Sequence, residues 1–223
     1  MSATDPPSAF PRYSLGERRA DLAVHGLGLS LAAVGLPWLL WSGFSRAGVA
    51  VGLALLLYAL GMALMLGSSA LYNLMRESRG KELVRRLDRA AIFVMIAGTY
   101  SPLAVARLAP PWREGLLAFE WGLAALGIVL AFAWSRRSER LCILLYLLMG
   151  WAVLAVAAPL LAALGPALFG GILAGALVYT AGVGLHAATG LKYHNVLWHG
   201  CVLAAAACHY AVILMAVARP AAG

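Results

Sequence analysis

Charge is the first thing this sequence has little of. Only 12% of its 223 residues are Asp, Glu, Lys or Arg, while 63% are hydrophobic. Mean hydropathy is +0.85. A soluble domain carries about 25% charged residues, so this chain has too few to coat a water-facing surface. Soluble classes are therefore excluded, and a polytopic membrane protein remains. Cysteine is nearly absent as well. Cys142, Cys201 and Cys208 all lie in apolar runs and no CxxC occurs, so neither a disulfide framework nor a zinc ribbon is expected. Thiols in such runs pack as small hydrophobes. Acidic residues number 9 against 17 basic ones, a net charge of +8. In a soluble chain that excess would suggest nucleic acid. Here the basic residues belong in loops facing anionic headgroups, so membrane lipids are the expected partners and nucleic acid is not. A cleavable signal pattern is also missing. Residues 1–19 form a short polar segment with Pro6, Pro7 and Pro11, and the first helix is expected to stay as an anchor.

What is present is a series of apolar runs. A span needs about 20 apolar residues. Seven are read, at about 20–41, 49–74, 88–108, 114–134, 140–158, 167–189 and 195–217. The expected fold is an all-α membrane protein, one seven-helix bundle over 20–217 with a short tail at 218–223. With the N-terminus in the cytoplasm, thirteen of the 17 basic residues fall on the cytoplasmic side. The positive-inside rule thus favours a cytoplasmic N-terminus and an outside C-terminus. Gly171 and Gly175 form a GxxxG in "FGGILAGALVYTAGVG" (169–184), a spacing that admits close helix packing in lipid. The tryptophans fall mostly near span ends, as an aromatic belt does.

Ionisable residues inside spans are costly and mark functional sites by default. Glu17, Asp21 and His25 recur every four residues on one face of span 1. Ser69 and Asn73 are four apart at the end of span 2, and Asn195 and His199 four apart at the start of span 7. Asp88 opens span 3, as an N-cap or early-turn carboxylate or as a group aimed into the bundle. His209 lies ten residues past His199, about 15 Å deeper. Span ends on the cytoplasmic side thus offer His25, Ser69, Asn73, Asp88, Asn195 and His199 to one pocket, provided the bundle closes span 7 onto the first three. Glu120 and His186 are expected to snorkel to opposite interfaces.

The segments "ERRADLAVHGLG", "SSALYN", "LDRAAIFVMIAGTYSP", "YLLMGW", "GGILAGALVYTAG" and "NVLWHGCVLAAAACHY" occur in this order. Over residues 15–215 the chain resembles the hemolysin III family, within the wider progestin and adipoQ receptor group. The resemblance implies a seven-helix bundle in a bacterial inner membrane, with an intramembrane zinc near the cytoplasmic face. It also implies hydrolysis of a lipid amide, as in the similar bundles of alkaline ceramidases. The zinc ligands it implies are three histidines, one ending a Ser-x3-His motif in span 2 and two forming His-x3-His in span 7. Ser69, Asp88 and His199 match that polar cluster, with Ser69 and Asp88 in catalytic roles and His199 as a metal ligand. Asn73 and Asn195 stand where the other two histidines are expected. In the span-1 motif Glu17 and His25 remain, while Asp21 and Val24 depart from it.

Zinc favours imidazole, thiolate and carboxylate, and an amide is a poor donor. His194 is adjacent to Asn195, but one residue turns a helix by about 100°, so it faces elsewhere. Three readings stay open. The site is metal-free, with Asn73, Asn195 and His199 hydrogen-bonded together; or it is rebuilt from His25, Asp88 and His199; or it takes a different cation through oxygen ligands. Three functions follow: a protein of membrane or lipid homeostasis binding a lipidic or ionic ligand, a zinc-dependent lipid amide or ester hydrolase, and a pore-forming cytolytic protein. The last fits least, because the polar residues gather at one end.

Overall fold

The computed structural model describes residues 13–133 and 136–218. Residues 1–12 of the polar leader, Trp134 and Arg219 lie outside the described residues. The helices are α1 (Leu15–Arg46), α2 (Val49–Leu74), α3 (Arg79–Arg107), α4 (Trp112–Phe132), α5 (Arg136–Gly150), α6 (Ala157–Leu164), α7 (Pro166–Ala187) and α8 (His194–Ala218), with a 3₁₀ segment at Ala152–Val156. Seven stretches are long and apolar enough to cross a membrane, α5 and α6 forming one with the 3₁₀ segment between them. The protein is a multi-pass integral membrane protein. Leu22, Val34, Leu53, Leu64, Val129 and Leu177 are among the many large apolar side chains left exposed, as lipid contact requires.

Two span boundaries differ from the sequence expectation for identifiable reasons. Span 1 starts at Leu15 rather than 20, because Ser14 and Glu17 close a capping box there. The Glu17 carboxylate accepts the Ser14 N–H at 2.8 Å and the Ser14 hydroxyl accepts the Glu17 N–H. This satisfies the free donors of a new helix inside a polar segment. Span 3 starts at Arg79, so Asp88 is neither an N-cap nor an early-turn residue. It lies nine residues in, about 13 Å along the axis.

Span 5 is not the single helix read from 140–158. Pro159 has no N–H for the carbonyl four residues earlier, and Gly150 weakens the preceding turn. The Tyr100 hydroxyl enters the gap. It accepts the Val153 N–H at 3.1 Å and donates to the Gly150 carbonyl at 2.9 Å. Such re-satisfaction is what allows a broken helix at membrane depth.

Consecutive spans are neighbours, and α8 closes the bundle by packing on α1 and α3. At the α2–α3 crossing backbones touch: a Cβ on Gly61 would lie 2.9 Å from the Met95 Cα, and one on Gly98 3.0 Å from the Leu57 carbonyl oxygen. The small residues of α7 serve α8 as their spacing suggests, with Gly171 against Val212 and Gly175 against the His209 ring. Trp38, Trp41 and Trp112 are exposed, as a belt requires. Trp121 and Trp151 instead turn inward, donating to Ser101 and Thr180.

Glu120 does not snorkel. It shares the inward face of α4 with Leu116, Ala124, Gly127 and Ala131 and is 0% exposed. The reason is geometric: that face meets α3, with Gly127 against the Phe93 ring and the Trp121 indole on Ser101. His186 does lie at the end of its helix, with its ring 5.4 Å from Trp198.

Candidate functional site

The start of α1, the end of α2 and the starts of α3 and α8 meet at one end of the bundle. The Asp21–His25, Ser69–Asn73 and Asn195–His199 pairs each put two polar groups on one helix face. Because α2 runs opposite to α1 and α8, these pairs stack in two layers about one turn, or 6 Å, apart.

The outer layer is an amide pair. The Asn195 side-chain N–H donates to Asn73 Oδ1 at 3.3 Å, and the Asn73 amide donates to the Ser69 carbonyl at 2.9 Å. A single hydrogen bond thus joins the two asparagines, and the Asn73 donor is spent on its own helix. Neither bonds His199, which turns instead to the inner layer.

That layer holds Asp21, His25, Ser69 and His199. The His199 Nδ1–H donates to Asp21 Oδ1 at 2.6 Å. The His25 Nδ1–H donates to the Asp21 carbonyl at 2.8 Å, one turn back on its own helix. Both acceptors can only accept, so in each neutral ring the proton sits on Nδ1 and the lone pair on Nε2. The His25 Nε2 lies 3.3 Å and the His199 Nε2 3.5 Å from the same Ser69 hydroxyl. The rings meet edge to face with centroids 4.5 Å apart. One hydroxyl proton cannot serve two lone pairs, so the layer has room for one more positive partner. Asp21, His25 and His199 offer ligand atoms all within 4.8 Å of one another. Asp21 and His25 are 6% and 5% exposed, and His199 is 9% exposed. Two imidazoles and a carboxylate make a donor set that zinc accepts.

Asp88 interacts with both Ser69 and His199 from the α3 side. It does not join the carboxylate–histidine set, so the rebuilt trio brought together is Asp21–His25–His199 and not His25–Asp88–His199. Asp21 is the site residue that sequence reasoning missed. Its signal is the four-residue repeat that places it on one helix face with His25. His194 faces away from His199, as its rotation requires, with its ring 6.0 Å from that of Tyr13. His209 is remote, with Nε2 3.1 Å from the Ile172 carbonyl.

Below the inner layer runs a cavity of about 140 Å³. Its walls carry His25, Ser69, Asp88 and His199 at one end and Leu103, Ile172, His209 and Val212 at the other. From His199 to Val212 is about 20 Å along α8. The walls between are mainly Met, Leu, Ile and Val, so the space is long, narrow and apolar. That shape accepts a hydrocarbon chain with its polar end at the histidines.

A family model described as haemolysin-III related matches residues 18–210. The chain is 28% identical over 202 residues to the "Hemolysin-3 homolog" of Bacillus subtilis (strain 168), covering 91% of this chain and 95% of that protein. It is 29% identical over 201 residues to "Hemolysin-3" of Bacillus cereus, covering 90% and 92%.

Proposed function

The chain belongs to the haemolysin-III related family, and on that footing we propose that it serves membrane lipid homeostasis by acting on a lipid at the Asp21–His25–His199 layer, with a divalent metal held there. The single observation that carries this reading is the pair of Nε2 lone pairs converging on one hydroxyl. His25 and His199 would hold the ion through their Nε2 atoms, Asp21 fixing the orientation of the His199 ring as carboxylates do for ligating histidines. When bound, such an ion supplies Lewis-acid polarisation of an ester or amide carbonyl. Ser69 offers a hydroxyl to a carbonyl oxygen beside the site. Asp88 offers a carboxylate able to take and return a proton, which makes ceramidase-like hydrolysis of a lipid the form of action the site fits. The apolar cavity supports a chain-bearing substrate. The excess of basic residues at this end supports a cytoplasmic placement, with the N-terminus inside.

Metal content decides the matter. Purified wild type is expected to carry close to one equivalent of a transition metal, His25→Ala and His199→Ala to lose it, and a chelator to lower the melting temperature of wild type alone. Less than about a tenth of an equivalent in well-folded protein, with no chelator effect, would leave a metal-free hydrogen-bond network.

The relatives' names raise cytolysis as a second reading. The polar groups described above gather at one end and the cavity beyond them is apolar, so it stands behind the first.

A further inference from the structure

A second, wider space adjoins the outer layer, with Asn73 and Asn195 in its wall. A vestibule of about 710 Å³ opens at the same end of the bundle, between the α2–α3 connection and the start of α8. Asp88, Ile92, Tyr146, Val183 and Trp198 line both this vestibule and the narrow apolar cavity, so the two adjoin across these side chains. A wide space thus sits against the end of a single narrow one.

The chemistry of the vestibule is unlike that of the narrow shaft. Arg18, Arg76, Lys81, Arg85 and Arg89 line it, against the carboxylates of Glu77, Asp88 and Glu139. Arg89 reaches Glu139 at 2.7 Å, which steadies the wall where α3 meets α5. Arg18 and Arg76 line it from neighbouring elements, one on α1 and one just past α2. Tyr13 adds a neutral donor there, its hydroxyl pushed up to about 12 by burial and then by Tyr72, Asp21 and Glu17. The positive-inside rule accounts for basic residues on this face. It does not account for their lining a cavity that shares Asp88 and Trp198 with the one holding the buried histidines.

From this juxtaposition we propose that the vestibule is a headgroup site for a phosphate-bearing, single-chain amphiphile, whose chain enters the shaft and whose phosphate lies among Arg18, Arg76 and Lys81. The inference rests on the lipid reading given above and names the class of lipid. Guanidinium forks match phosphate oxygens in pairs, and several cations lining one space suit a dianion better than a neutral or choline-bearing head. One shaft takes one chain. A volume of about 710 Å³ is larger than a lone carboxylate fills.

Trp198 lies at the junction and reports on chain entry. The test uses full-length protein in neutral detergent and brominated chains as fluorescence quenchers. The probes are lysophosphatidic acid, its uncharged monoacylglycerol counterpart, and inorganic phosphate as a competitor without a chain. Saturable quenching is expected from both lipids, tighter for the phosphate-bearing one by about tenfold, the scale of one or two screened charge contacts. The preference should fall with added salt. It should disappear in Arg18→Glu/Arg76→Glu and persist in Arg140→Glu, whose residue is exposed and does not line the vestibule. Trp198→Phe combined with Trp151→Phe should remove most of the saturable quench, since both rings line the narrow cavity. Circular dichroism establishes that each variant is folded. Equal affinity for the charged and neutral lipids overturns the headgroup proposal and leaves the lipid reading standing. Competition by inorganic phosphate as effective as that by the lipid also overturns it, since the site would then be one for free phosphate. No saturable quenching by either chain overturns the lipid reading itself.

Discussion

Asn195 and Asn73 hydrogen-bond across α8 and α2 at 3.3 Å, at the two positions where the family resemblance expects metal-binding histidines. The exchange of both residues leaves no orphan: one amide's donor meets the other's acceptor, and the second amide's donor is held by the Ser69 carbonyl.

The pair should therefore tolerate joint replacement better than single replacement. Asn73→His or Asn195→His alone leaves one half-buried amide without its partner, a loss of about 1–3 kcal/mol. The double variant removes both amides and presents three histidines with His199. It is expected to regain melting temperature over either single variant and to bind zinc at least about tenfold tighter than wild type. Differential scanning fluorimetry and competition with a zinc-sensitive dye measure the two effects. Additive losses in the double variant would mean that the amides are not coupled.

Asp21 is expected to act through His199. Asp21→Asn keeps the shape of the side chain but removes the carboxylate that fixes the imidazole at 2.6 Å. Loss of such an orienting partner typically lowers metal affinity about 10–100-fold. The change should appear as a lower metal equivalent in protein dialysed against a weak chelator, with helical content unchanged. An unaltered metal content would reduce Asp21 to an ordinary buried acid.

Much of this fold is legible in the chain because hydrocarbon is an unforgiving solvent. Seven apolar runs, their short connections and the glycine spacing of α7 follow from satisfying the backbone and packing without a hydrophobic drive between helices. The polar pairs at four-residue spacing are legible too, since the helix period alone puts Ser69 with Asn73 and Asn195 with His199 on one face. What periodicity cannot give is rotation about each helix axis. Asp21 and Asp88 are both carboxylates near the same end, yet one joins the histidines and the other approaches from the α3 side. That outcome depends on how α1 and α8 meet, a contact between residues nearly two hundred positions apart. The break in α5–α6 is hidden for a similar reason. Pro159 marks it, but the Tyr100 hydroxyl that stabilises it comes from another helix.

That hydroxyl gives a further expectation. Tyr100→Phe keeps the ring in place and removes only the oxygen. The Val153 N–H and the Gly150 carbonyl then lose the partner at 3.1 and 2.9 Å. Two groups left unsatisfied cost about 1–3 kcal/mol each, less whatever the 3₁₀ segment recovers by rewinding. The melting temperature should fall, and amide exchange near Val153 should quicken while the rest of the bundle stays protected. A variant as stable as wild type would show that the break holds without the hydroxyl.

Glu120 makes the opposite case, a polar side chain whose removal should help the fold. Neither carboxyl oxygen has a hydrogen-bond partner among the described residues, and the side chain is fully enclosed. Its neighbours on the same helix face are Leu116 and Ala124, both packed in the core. A carboxyl group in such a place costs several kcal/mol of desolvation with nothing to offset it, in either protonation state. Glu120→Met is close in volume and length, and fills the same space without polar atoms. It is therefore expected to raise stability by about 1–3 kcal/mol, read as a higher melting temperature in detergent. Glu120→Gln, which keeps the polar atoms, should give little of that gain. Both variants should keep the metal content of wild type, because Glu120 lies on α4, which contributes nothing to the histidine layer. A fall in stability for Glu120→Met but not for Glu120→Gln would reveal a polar partner, an ordered water or ion, and would turn this residue from a structural burden into a second site.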